Sequence, residues 1–529
     1  MAAAHVSGLE GGNLPADLWS DAPGTVVLEN SSSTLKHGKD GELILHPQPS
    51  TDPNDPLNWS MKRKLVNFSI ASFYVLMVFA MLDIGVVVFQ DYNTLLGISY
   101  DDLNNTFAAN CVGLAFGCLL FVPFSIKYGR RPVYLVTTFV LFICGIWAAV
   151  LRDYPNMVGL NVINGLAGAV ADTIVQMTVY LAPVVAGYSA VSQGWPWIYW
   201  WCTIFLGINF LMFVFFYEET KYATTLVGLN RAASARTTIQ RGQSKETEQG
   251  IKGSESPPSE QTAVTEIDAT IPLKTYRQRL AWTTKTPGSF ADFLRHFYQP
   301  FLMLTIPGVL YVALQFGAFL SWVSVVAVTE SDYFSTTPYN FTTVGIGLLN
   351  LPPFIGAIIS TLYSGPLSDW SIIRLAKRNG GVYEPEMRLY LTIFPALLGP
   401  AGIFLYGFSL AKDAHWIIPC VGVALYGFSQ ASIQALSLSY LMDSYSEILG
   451  DALIGVTFVR NIIAAGIVFA TGPWINSLGL YNTFVSLGCL SLFFTLLAIP
   501  MIIWGKKMRI LCKNRYEAYS RRQPQVHRT

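Results

Sequence analysis

Long apolar runs recur along this chain, and their number does not come out even between its two halves. They lie at roughly 65–89, 103–126, 132–151, 157–187 and 197–217, then at 301–328, 342–367, 388–410, 414–441, 454–475 and 481–504. A bilayer core takes about 20 apolar residues per helical crossing. The second half therefore offers six crossings and the first about five. Unbroken apolar character with Gly and Pro inside suits lipid-embedded helices; a membrane barrel shows short alternating segments instead. Only 13% of the residues are charged and 52% are hydrophobic, whereas a soluble domain is about a quarter charged. The expected fold is an all-α polytopic membrane bundle.

Loop charge sets the sides. Lys62, Arg63 and Lys64 precede the first run, and Lys127, Arg130 and Arg131 follow the second. Arg374, Lys377, Arg378 and Arg388 lie between the seventh and eighth runs, and Lys506, Lys507, Arg509, Lys513 and Arg515 follow the last. The loops 90–102, 188–196, 329–341 and 476–480 hold no Lys or Arg. The expected organisation is a cytosolic tail at 1–61, a membrane half at 62–217 and a cytosolic linker at 218–299. A second membrane half follows at 300–505, then a basic tail at 506–529. The N-terminal tail and the linker are polar and read as disordered. No basic start followed by an apolar run opens the chain, so no cleavable signal peptide is expected. A net charge of +1 implies no nucleic-acid partner, and the seven Cys lack metal-ligand spacing and read as packing residues.

These sides create a parity problem. The third run ends outside at Arg152–Pro155, while the linker at 218 is inside. Residues 157–217 must then cross once or three times, and three crossings need roughly 60 residues of helix with no turns. Residues 157–187 are too long for one span and too short for two. They read as one span fused to the tail of another, with the junction near Val179, Tyr180 and Leu181. A long tilted helix kinked at Pro183 is the alternative.

Several motifs resemble the major facilitator superfamily, in particular fungal multidrug and secondary-metabolite efflux transporters. Asp52-Pro-Asn-Asp-Pro-Leu-Asn-Trp-Ser60 looks like that group's entry motif, and Gly129-Arg130-Arg131-Pro132 is similar to the end of its signature loop. Gly365-Pro-Leu-Ser-Asp369-Trp looks like the second-half counterpart. The run from Arg378 to Leu389, with Glu384 and Arg388, is the most specific match, and Met442–Tyr445 with Gly455 to Asn461 adds another. The resemblance implies a two-half bundle of twelve helices, of which about eleven are complete here and the fifth is truncated. It also shows two departures. Ile126-Lys127 stands where the signature loop carries an Asp, whereas Asp369 keeps the equivalent in the second half. About 25–30 residues, a basic loop and most of a helix, are missing where Val179 runs into Tyr180.

A transporter of this kind needs a mid-membrane cavity opened alternately to each side. Polar side chains there are expensive and therefore suggestive. Asp83 and Asp172 lie deep in the first and fourth runs, as candidate proton carriers or partners of a cationic substrate. Gln176 sits one turn after Asp172. Gln315, Asn350, Gln430 and Gln434 are the second-half candidates, although helix–helix hydrogen bonding explains such residues equally well. Tyr311, Phe316, Trp322, Tyr406 and Tyr426 are candidate pocket aromatics, with packing as the competing role. Asp443, Glu447, Asp451 and Arg460 form either a gating network or a solvated loop. Asn340 and Asn104 begin glycosylation sequons on the outer side.

The function expected is proton-driven efflux of a small organic molecule such as a toxin, drug or secondary metabolite. The chain is expected to act as a monomer in the plasma membrane or, alternatively, the vacuolar membrane. Import of a nutrient or organic cation and a transport-incompetent form are the rivals. No cofactor or metal is expected. An enzyme is disfavoured because no nucleophile–base pair, metal-ligand cluster or phosphate loop is legible and the six His are scattered.

Overall fold

The computed structural model describes residues 22–27, 53–170, 178–221, 273–283, 290–380 and 382–522. The first half contains α1 (Met61–Val87), α2 (Tyr100–Tyr128), α3 (Arg130–Ala149), α4 (Tyr154–Gly168), α5 (Thr178–Gln193) and α6 (Trp195–Phe215). The second contains α7 (Pro307–Tyr333), α8 (Leu351–Leu362), α9 (Ile393–Ala411), α10 (Ile417–Ser444), α11 (Leu449–Leu496) and α12 (Ala498–Leu511). Gly479, at φ +77°, breaks α11 into two limbs. Short helices at Phe290–Met303 and Thr343–Leu348 lead into α7 and α8. Lipid offers no partner for a free peptide group, so apolar runs close their hydrogen bonds internally as helices.

Each half has its own core. Tyr74, Val78, Leu141, Leu206 and Phe213 belong to the first, and Phe319, Tyr406 and Phe484 to the second. Within the halves α4 packs on α2, α3 on α6, α7 on α11, and both α8 and α9 on α10. Between the halves α2 runs against α11, and α5 against Thr343–Leu348. Helices associate in lipid by close backbone approach. At the α5 seam, a Cβ on Gly187 would stand 2.8 Å from the Thr343 carbonyl, and one on Gly347 2.7 Å from the Pro183 carbonyl.

The described residues of 157–187 form two helices, as a span joined to part of another would, but the junction expected near Val179–Leu181 is placed differently. They divide into α4 and α5, and Tyr180 and Leu181, expected at the junction, lie inside α5. Pro183 sits within α5 without ending it. The stretch Gly165-Leu-Ala-Gly168 at the end of α4 is weaker helix former, because Gly loses more backbone freedom there than other residues.

Both ends of the gap stand at one level of α1. The Asn164 amide donates to the Met81 carbonyl at 3.3 Å, and Gly168 faces Val78 and Leu82. Tyr180 shares a cavity with Asp83. Among the described residues α4 ends at Gly168 and α5 begins at Thr178. Among the described residues nine helical runs are long and apolar enough to cross a membrane, and neither α4 nor α5 is among them.

The Met61 face of the bundle is the basic face, and two polar segments dock on it. Residues 22–27, assigned from sequence to a disordered tail, include β1 (Val26–Val27). This strand pairs antiparallel with β2 (Val382–Tyr383), Val26 opposite Tyr383. In the linker, Lys274 donates its backbone N–H to Asn54 Oδ1 at 2.9 Å, and the Tyr276 hydroxyl donates to the Phe215 carbonyl.

Candidate functional site

A cavity opens between the halves, its surrounding empty space amounting to about 680 Å³. Asp83 enters it from α1 and Glu330 from α7, so each half supplies one carboxylate. Tyr180 of α5, Tyr426 of α10, Phe107 of α2 and Asn350 share the lining with a set of Val, Ile and Pro side chains. Glu330 is only 6% exposed. Its α7 neighbour Ser331 donates to the Val86 carbonyl at 2.8 Å, which ties α7 to α1 beside the cavity. On the same face the Tyr100 and Ser335 hydroxyls lie 3.2 Å apart across the halves.

The structure sorts the candidates read from sequence. Asp83 and Asn350 line the cavity, and Gln430 accepts from the Tyr180 hydroxyl at 3.1 Å across the halves. Gln315 does not reach the cavity: its amide donates to the Phe494 carbonyl at 2.5 Å inside the second half. Gln434 is buried in α10 away from the lining. Asp172 and Gln176 lie outside the described residues. Of the five aromatics singled out, only Tyr426 faces the cavity; Tyr311, Trp322 and Tyr406 are buried in the second-half cores and Phe316 packs against them. Glu330 was counted in the outer loop 329–341. The spacing Val323, Val326, Ala327, Glu330 puts it on the lining face of α7, and that helical period is the signal that finds it.

The motifs at the basic face prove to be structural fasteners. Gly129 takes φ +108° between α2 and α3, a conformation that favours glycine. The Glu219 carboxylate accepts from the Arg130 and Arg131 backbone N–H groups, each at 3.1 Å, which caps the start of α3. Lys221 donates to the Ile126 and Lys127 carbonyls at 2.6 and 3.0 Å, capping the end of α2. The Arg131 side chain is buried and donates to the Val214 carbonyl at 2.8 Å, so it fixes α3 to the end of α6. Glu219 and Lys221 thus secure the turn in which Ile126-Lys127 replaces the family's Asp. Glu219→Ala should lower stability by about 1 kcal/mol, read as a lower melting temperature of the purified protein.

The entry motif works the same way. Asp55 caps a short turn by accepting from Leu57 at 2.9 Å. The Arg63 guanidinium stands 4.0 Å over the Trp59 ring, and its Nε donates to Glu218 at 2.9 Å. In the second half, Arg388 Nε donates to Asp443 at 2.6 Å and lies 3.9 Å from the exposed Asp369. The Tyr383 hydroxyl also donates to Asp443. Burial, then the bond to Asp443, push this phenol up from its ordinary range, so it stays a donor. Glu384 pairs with Lys506, and Glu386 with Arg509 at 2.6 Å. Gly365 lies in the turn Tyr363–Leu367 that joins α8 to the next helix.

Of the residues grouped at the basic mouth, Asp443 pairs with Arg388, Glu447 accepts from Ser520, and Asp451 stands 3.9 Å from His296. Arg460 is buried within α11. Asn340 is exposed in the loop after α7, but Asn104 is 8% exposed within α2 and leaves no room for a glycan.

Comparison with known proteins matches this architecture. The family model of the Major Facilitator Superfamily matches residues 170–465. An MFS-type transporter of Schizosaccharomyces pombe, C1271.10c, is 31% identical over 94% of each chain. The MFS transporter cpaT of Aspergillus oryzae is 28% identical over 88% of this chain and 91% of its own. Among solved structures, a POT family transporter superposes with a TM-score of 0.55 at 11% identity, covering 87% of this chain and 99% of its own. A D-xylose-proton symporter superposes at 0.53 and 13% identity, covering 82% and 97%. The two-half helical bundle, its cavity and its relatives agree: this chain belongs to the Major Facilitator Superfamily, a family of membrane transporters.

Proposed function

We propose that this chain exports a small organic molecule through the central cavity in exchange for protons carried by Asp83 and Glu330. The observation that carries the reading is Glu330, a carboxylate more than nine-tenths buried at the boundary between the halves. Burying an ionised carboxylate is costly unless a proton or a cation accompanies it. Such a group changes its company each time the cavity changes sides, which is what coupling requires. The basic face is the cytosolic one, by the preference of Lys and Arg loops for that side. The plasma membrane is the membrane assigned. Export is the direction proposed; the relatives cpaT of Aspergillus oryzae and penM of Penicillium rubens are named an MFS transporter and an MFS-type transporter.

The test uses the purified chain in proteoliposomes under an imposed pH gradient. Glu330→Gln keeps the size of the side chain but cannot titrate. It should lower gradient-driven transport at least fivefold. Unchanged gradient-driven transport, with equal protein in the vesicles, would remove Glu330 from the coupling step. Asp83→Asn should act in the same direction.

A further inference from the structure

We propose that the molecule carried is an organic cation, its positive group seated between Asp83 and Glu330. The inference rests on the reading of this cavity as the transport path and adds the chemical class of its occupant. Glu330 faces the cavity from a buried position, and no described residue donates a hydrogen bond to its carboxylate or pairs with it. Asp83 brings a second carboxylate from the opposite wall.

Among the described residues that line the cavity there is no Lys or Arg. The sequence holds no Lys or Arg between Lys64 and Lys127, between Arg152 and Lys221, or between Arg295 and Arg374. Those stretches contain every part of α1, α2, α5 and α7 that reaches the lining. On the facing α11, Arg460 packs beside Gly317. Gly317 lies about 13 residues, or ~20 Å, along α7 from Glu330. An anion would meet two carboxylates with nothing to balance it.

The remaining lining fits the rest of such a ligand. The Tyr180 and Tyr426 hydroxyls are engaged, by Gln430 and by the Phe319 carbonyl at 2.7 Å. Their rings, with Phe107, stay available to a cation. The Asn350 amide is directed to the Gly347 carbonyl at 3.4 Å, which leaves few free groups for a polyhydroxylated neutral molecule. Val86, Val87, Val323 and Ile346 offer apolar surface for the body of an ammonium compound.

The experiment measures binding to the purified full chain in lipid nanodiscs. The probes are benzyltrimethylammonium, its uncharged carbon isostere neopentylbenzene, and the anion phenylacetate. The cation should bind at least tenfold more tightly than either of the others, and Glu330→Gln and Asp83→Asn should each weaken it at least tenfold. Thermal melting checks that each variant folds; if Glu330→Gln does not, Asp83→Asn supplies the test. Equal binding of cation and isostere, no binding of any probe, or full binding by the folded variants would overturn the proposal. A permanent cation carries no proton, so this result is independent of coupling. Selective cation binding with unchanged gradient-driven transport in Glu330→Gln would instead overturn the coupling reading alone.

Discussion

Lengthening the first half by about 25–30 residues between positions 171 and 177 should raise export more than tenfold. The insert is an apolar limb to continue α4, a basic loop, and an apolar limb to begin α5. The expectation follows from where these helices stop. Gly168 and Tyr180 both stand beside residues 78–83 of α1, while α1 itself continues to Met61. Below that level α2 still meets the second half, with Phe124 5.2 Å from Phe293 between ring centres. Among the described residues the α5 seam rests on the close approach of Pro183 and Gly187 to Thr343 and Gly347. Alternating access needs two halves that seal against each other in turn. A missing limb is not replaced by general stickiness, because lipid supplies no hydrophobic drive between helices. Equal flux from the original and lengthened chains in proteoliposomes would show that the short helices are no lesion. The sequence places this insert after Val179; the structure moves it earlier, because Val179 and Tyr180 are already helical.

Glu386→Ala should destabilise the protein by about 3–5 kcal/mol. Arg509 is fully buried and Glu386 is 5% exposed. Two parallel bonds join them, Nε to Oε1 at 2.7 Å and Nη2 to Oε2 at 2.6 Å. Removing the carboxylate leaves a guanidinium out of water, with the Pro23 carbonyl and Thr25 hydroxyl as its remaining acceptors among the described residues. Replacing both partners by apolar residues, as Glu386→Leu with Arg509→Met, should recover most of the loss, since no charge is then stranded. Chemical unfolding in detergent reads both. A loss under about 1 kcal/mol for Glu386→Ala would mean that water reaches the pair.

The parts of this molecule legible in its sequence are those set by local pattern. Apolar runs and basic flanks each follow from neighbours within one helix or loop. The parts that were not legible depend on partners far away along the chain. Arg131 meets Val214, Glu219 meets Arg130, and Arg509 meets Glu386 across 83 to 123 positions, and nothing near any of them announces the other. Helix rotation is similarly invisible. Gln315 and Asn350 look alike as intramembrane amides, yet packing turns the first toward Phe494 and the second toward the cavity. Glu330 was missed for a different reason: its charge marks the end of an apolar run, so hydropathy stops the span one turn too soon. The deficit in length was legible in the sequence, while the packing of Gly168 on Val78 and Leu82, and of Tyr180 on the cavity with Asp83, came only from the structure.

The most direct test of the account joins the cavity to the helix deficit. In the lengthened chain, Asp83→Asn and Glu330→Gln are combined, and proton movement is measured together with export of an organic cation in proteoliposomes. The account predicts that lengthening restores coupled proton and substrate fluxes when both carboxylates are present. It predicts that the folded double variant loses both the proton flux and the selectivity for the cation. A double variant that still exchanges protons for the cation at the rate of the lengthened chain would contradict it.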